Sequence, residues 1–199
     1  MPRFFSGRGR AFFSPSLFFL AAIYYGELCL KLFCFQNLPL SGVLFTFLFS
    51  IPSAMLLGLI CASLPSRWGR RFLVLTTGLI CLWFGAQIIY FRLFKTFLTI
   101  FSLTKMAMVA GAFGGMALPE VLLNWFPVLT MVLPIASAWL VRRRLIPDSP
   151  AIGKGRLTWA VLALTVQILS MGLVLCCGGG VLSLRDIYFY TATPELETQ

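Results

Sequence analysis

An all-α bundle of five membrane-spanning helices is the fold this sequence predicts, on three observations. The 199-residue chain is 59% hydrophobic and only 11% charged, where soluble domains carry about 45–50% apolar and about 25% charged residues. Its apolar residues fall into runs of about 20, four of them uncharged, the length that crosses a hydrocarbon core of about 30 Å at 1.5 Å per residue. Its cations sit in short clusters between those runs, the pattern that encodes orientation in membrane proteins.

The first run covers residues 15–33, after the basic start marked by Arg3, Arg8 and Arg10. That start resembles a signal peptide, but the apolar run continues past Ala21 and Ala22, so an uncleaved helix is expected. The run contains Glu27 with Lys31 four residues on, which places both on one helix face in the favourable acid-before-base order. A carboxylate inside a span either points into the bundle with a functional role or snorkels as an ion pair at the outer boundary. Both readings stand at this stage.

The second run covers 41–64 and carries Pro52, expected to kink the helix or loosen one backbone bond. A tight basic loop with Arg67, Arg70 and Arg71 leads to the third run, 72–90, which holds Gln87 near its end. The fourth run covers 121–141, with Pro127 and Pro134, and is followed by a second basic loop bearing Arg142, Arg143, Arg144, Lys154 and Arg156. The fifth runs from 157 to the triple glycine at 178–180.

Residues 97–118 offer a sixth candidate span, and charge decides against it. With five spans and the N-terminus inside, 11 of the 16 cations are cytoplasmic. A sixth span would move the five cations of 142–156 outside, against the positive-inside bias. Residues 106–118, with Gly111 and Gly115, are then expected as an outer interfacial or re-entrant helix, and an odd span count puts the C-terminus outside. Residues 1–14 form the cytoplasmic start, 15–182 the transmembrane domain, and 183–199 an extracellular tail.

Chemistry-bearing residues are sparse. The absence of histidine excludes Ser-His-Asp triads, Cys-His dyads and histidine-bearing zinc sites within these residues. No Cys-x-x-Cys pair occurs among the six cysteines, and no two of the six carboxylates share a spacing suited to an acid/base pair or metal cage. The net charge of +10 carries no recognisable nucleic-acid module, so no nucleic-acid partner is expected. One stretch does have a physical role available. Residues 90–105 mix aromatics with Arg92, Lys95 and Lys105, which suits either an interfacial belt or contacts to lipid phosphates.

The run Gln87-Ile-Ile-Tyr90-Phe91-Arg-Leu-Phe94-Lys-Thr-Phe97-Leu, followed by Ser102, resembles the segment after the third span in lipoteichoic acid synthases and related sulfatase-like phosphoglycerol transferases. Tyr24-Tyr25-x-Glu27-Leu28, Asp186-Ile-Tyr188-Phe-Tyr190 and Thr193-Pro194 look like that family too. The resemblance implies a bacterial cell membrane location. It also implies a membrane half followed by an extracellular, manganese-dependent transferase domain that cleaves phosphatidylglycerol with a threonine nucleophile. No position here matches that nucleophile or the metal ligands. The chain is therefore expected to be inactive alone, to hold no cofactor, and to serve as anchor and lipid-presenting domain. Its expected partners are membrane lipids, phosphatidylglycerol among them, and an extracellular catalytic domain or partner chain. The rival expectation is a small multi-pass transporter or channel lining a polar path with Glu27 and Gln87.

Overall fold

The computed structural model describes residues 7–34, 40–97, 119, 122–146 and 155–177. Among them are five principal helices: α1 (Gly7–Cys34), α2 (Leu40–Ser63), α3 (Ser66–Phe94), α4 (Trp125–Leu145) and α5 (Gly155–Cys177). Each is long and apolar enough to cross a membrane. Lys105, the expected interfacial helix at 106–118 and the tail at 183–199 lie outside the described residues.

Besides α1, which begins at Gly7 and so makes Arg8 and Arg10 of the expected basic start helical, two expected boundaries move. α3 begins at Ser66, inside the expected basic loop, and runs on to Phe94, so Arg67, Arg70 and Arg71 are helical. α4 is displaced toward the C-terminus and takes Arg142, Arg143 and Arg144 into its last turn. The cause is the same in both. Hydropathy marks where a helix leaves hydrocarbon, whereas arginine is a good helix former whose long stem reaches the headgroups from inside the helix. Pro65 marks the true start of α3: it occupies the N-cap, and its carbonyl accepts the Gly69 N–H at 2.8 Å.

The helices alternate up and down. Phe12 of α1 stacks on Trp159 of α5, Arg156 of α5 donates to the Ser63 carbonyl that ends α2 at 3.1 Å, and Cys61, Gly69 and Ile146 pack together. These contacts define one end of the bundle. Nine described cations belong to it: Arg8 and Arg10 in the first turns of α1, Arg67, Arg70 and Arg71 on α3, Arg142 to Arg144 on α4, and Arg156 on α5. Arg71 sits 5.5 Å over the Trp68 ring and Arg142 4.8 Å over that of Trp139, an arrangement suited to a membrane interface. The far end has only Lys31, Arg92 and Lys95 among the described residues.

The interior mixes small and hydroxyl-bearing side chains with a few large ones, Phe19, Leu73 and Ile88 among them, while many large aliphatic side chains face outward. Ala54, Cys61, Ala62, Thr77 and Ser170 are buried, whereas Leu75, Leu79, Leu82, Leu140 and Leu164 are each more than 60% exposed. That inversion is expected where lipid is the solvent, because helices then associate through close packing and not by hiding leucine. The closest approach is α1 on α2. A Cβ built on Gly58 would lie 2.6 Å from the backbone nitrogen of Ser16, so only glycine fits there. The Ser16 hydroxyl is itself satisfied one turn back, at the Phe12 carbonyl, at 2.7 Å. α1 is the central helix, touching all four others, while α5 packs chiefly on α2.

Candidate functional site

Proline placement organises the middle of α4. Pro134 has no N–H, so the carbonyl of Thr130, four residues earlier, loses its donor within the helix. The Tyr25 hydroxyl of α1 supplies the missing bond, donating to the Thr130 oxygen at 3.0 Å. Hydrocarbon offers no water to a bare carbonyl, so this bond ties α1 to α4 by need as well as by attraction. Above it, toward the far end, Phe33 of α1 meets Phe126 of α4 edge to face at 6.1 Å. Cys29, Cys81, Phe84, Ile88 and Met131 fill the space between α1, α3 and α4.

Below the tyrosine the two helices part. Phe18, Ala21, Ala22 and Tyr25 on one side and Leu133, Pro134 and Ser137 on the other line an open groove of about 350 Å³. On α4 it lies at the middle of the span Trp125–Leu145, and on α1 close to the middle of Phe12–Cys34.

The polar side chains expected from the sequence gather toward the far end, in two groups. On the α1–α2 side, Glu27 and Lys31 interact across one helical turn, and the Lys31 ammonium donates to the Thr46 hydroxyl of α2. Thr46 in turn gives its carbonyl to Ser50 at 2.7 Å. On the α3–α4 side, the Arg92 guanidinium donates to the Asn124 side-chain oxygen. Asn124 occupies the N-cap of α4 yet makes no side-chain cap bond, because its oxygen faces the arginine. Only 3% of the residue is exposed.

α3 closes at Lys95, which takes the left-handed conformation (φ 57°) and donates its N–H to the Phe91 carbonyl at 2.8 Å. Tyr90 with Phe94, and Phe91 with Phe97, pair their rings at 4.6 and 4.9 Å around this turn. Cys34, the last residue of α1, lies within electrostatic reach of both Arg92 and Lys95. The end of α3 thus brings two cations and an aromatic collar against the end of α1. Gln87, two turns back on α3, is 7% exposed. Thr46, Asn124 and the Tyr25–Thr130 pair were not singled out from sequence. Asn124 preceding Trp-Phe-Pro127 was the one available signal, since asparagine is a favoured N-cap.

Among the described residues no three cysteine or carboxylate side chains come together, and Glu27, the one described carboxylate, faces Lys31. What the far end can do chemically is hold an anion near aromatic surface.

A family model described as the lipoteichoic acid synthase N-terminal domain matches residues 3–178. No curated protein and no solved structure matches the chain.

Proposed function

Given that the chain belongs to the lipoteichoic acid synthase N-terminal domain family and is a multi-pass bacterial membrane protein, we propose that it anchors a phosphoglycerol transferase and presents phospholipid headgroups to it at the outer surface. The observation that carries this reading is the end of α3. Arg92 is held by a buried asparagine, Lys95 itself takes the left-handed conformation that ends the helix, and the ring pairs Tyr90–Phe94 and Phe91–Phe97 lie on the same turns. Fixed cations beside aromatics suit a phosphate whose glycerol and upper chain sit at the membrane interface. Phosphatidylglycerol is the headgroup this family connection favours.

Orientation follows from charge. Nine described cations at one end against three at the other favour the basic end as cytoplasmic. The far end is then extracellular, with the N-terminus inside and an odd number of spans. Lys31, tied to Thr46, adds a third cation to that outer layer.

The test uses phosphatidylglycerol nanodiscs and a photoreactive phosphatidylglycerol analogue. Removing both charges with Arg92→Gln and Lys95→Gln should cut labelling about tenfold or more, at roughly 1 kcal/mol per cation. Phosphatidylcholine nanodiscs supply the background. Labelling that is unchanged by the double substitution, in protein of normal stability, refutes the proposal.

A further inference from the structure

We propose that the groove between α1 and α4 seats one acyl chain of a phospholipid belonging to the basic-end leaflet, with Arg144 at its phosphate. This is a second lipid site, separate from the far-end headgroup contact, and it does not depend on it.

The occupant follows from where the groove lies and which end is closed. Toward the far end, α1 and α4 are joined by the Tyr25–Thr130 hydrogen bond and the Phe33–Phe126 ring contact. A chain descending from that leaflet meets a closed seam. The walls are mostly apolar, with Phe18, Ala21, Ala22, Leu133 and Pro134. The Ser137 hydroxyl is turned back onto its own helix, donating to the Pro134 carbonyl at 2.7 Å. At the middle of a span the surrounding medium is hydrocarbon, so the groove holds lipid tail in preference to water. Its volume of about 350 Å³ takes about a dozen groups the size of a water molecule, close to that of a methylene.

Length and register then select the headgroup partner. Arg144 lies 7 residues beyond Ser137 and 11 beyond Leu133, both near whole numbers of turns at about 3.6 residues per turn, so all three share one face of α4. From Leu133 to Arg144 the helix rises about 16 Å, and half of a hydrocarbon core of about 30 Å is about 15 Å. A chain whose methyl end reaches Leu133 therefore has its phosphate at the level of Arg144. That side chain is exposed, and its Cβ leans back along α4 toward the groove. The neighbouring Arg142 is held over Trp139, which sets this turn at the membrane interface.

The experiment measures lipid retained by the full chain after extraction into mild detergent and exchange. Native mass spectrometry counts bound phospholipid, and phosphatidylglycerol is added back to delipidated protein as the probe. The unsubstituted chain should keep one phospholipid. Ala21→Phe, which fills the groove from an exposed position, should lower occupancy at least fivefold. Leu169→Phe, on the outer face of α5, should leave it unchanged. Arg144→Gln should weaken add-back about fivefold, the value of one interfacial cation at about 1 kcal/mol. Thermal unfolding confirms that each variant folds, and Ser137→Leu fills the same groove from α4 should Ala21→Phe fail to fold.

Equal retention by Ala21→Phe and the unsubstituted chain overturns the groove as the seat. Retention lost in Ala21→Phe but unaltered by Arg144→Gln overturns the phosphate assignment. The Arg92→Gln, Lys95→Gln variant separates this site from the far-end one. If that variant strips the retained lipid while Ala21→Phe keeps it, the groove inference falls and the headgroup reading stands.

Discussion

Replacing Tyr25 with phenylalanine removes one hydroxyl and leaves the ring in place, which isolates the bond that closes the α1–α4 seam. In the native helix Pro134 deprives the Thr130 carbonyl of its internal donor, and Tyr25 is the donor that replaces it at 3.0 Å. Tyr25→Phe should therefore orphan a carbonyl in a half-buried, water-poor setting, at a cost of about 1–3 kcal/mol. Hydrogen bonds between membrane helices fall mostly in the lower part of such a range, with measured couplings reaching about 1.7 kcal/mol. We expect about 1–2 kcal/mol here, because proline removes the ordinary donor four residues on from this carbonyl. In a Pro134→Ala background the restored N–H of residue 134 bonds Thr130 directly, and Tyr25→Phe should then cost under about 0.5 kcal/mol. The assay is reversible unfolding in mixed micelles of the four proteins of the cycle, which cancels the change in groove wall caused by Pro134→Ala alone. A coupling of about 1 kcal/mol is a fivefold shift in the unfolding equilibrium, within reach of a denaturation curve. An equal cost for Tyr25→Phe in both backgrounds would refute the argument that the proline creates the need for the tyrosine.

The remaining predictions concern packing and orientation. Gly58→Ala pushes a methyl to within 2.6 Å of the Ser16 backbone, so α1 and α2 must separate. An overpacking cost of about 1–3 kcal/mol is expected, read as a lowered unfolding midpoint, whereas Gly78→Ala meets nothing within 4 Å and should be neutral or mildly stabilising. With the native cysteines, exposed Cys176 among them, replaced by alanine, a cysteine introduced at exposed Arg143 should react with a membrane-impermeant maleimide in inverted vesicles and not in intact cells. Labelling from outside would reverse the proposed orientation.

The number of helices and the basic clusters were legible in the sequence because hydropathy and charge act locally. Five apolar runs of span length are a property of adjacent residues, whereas the expectation that 97–118 is no sixth span falls on residues outside those described, Phe97 apart. Helix ends were less legible. The sequence placed Arg67 to Arg71 and Arg142 to Arg144 in loops, while the chain makes them the first and last turns of α3 and α4. Leaving hydrocarbon and leaving the helix are different events, and only the first is written in hydropathy. Of the candidate residues, Arg92, Lys95, Glu27, Lys31 and Gln87 were visible as polar side chains in or beside apolar runs. Their partners Thr46 and Asn124 were not, since pairs 15 and 32 residues apart depend on how helices face one another.

Pro134 connects these levels most directly. In the sequence it reads as a helix irregularity inside a span. In the fold it uncovers a carbonyl that only a neighbouring helix can satisfy, and Tyr25 of α1 does so. One consequence is a closed seam on the far side of that bond, where Phe33, Phe126, Cys29 and Met131 meet. The other is an opening on the near side, where small side chains at Ala21 and Ala22 face the proline ring. In a bundle whose helices meet without water, a backbone carbonyl freed by proline gives one helix a reason to bond its neighbour. That bond thus helps close α4 against α1 on its far side, with the groove of about 350 Å³ directly on its near side. Substituting Tyr25 should for that reason weaken the α1–α4 seam beside the groove, leaving the Phe33–Phe126 ring contact to hold it.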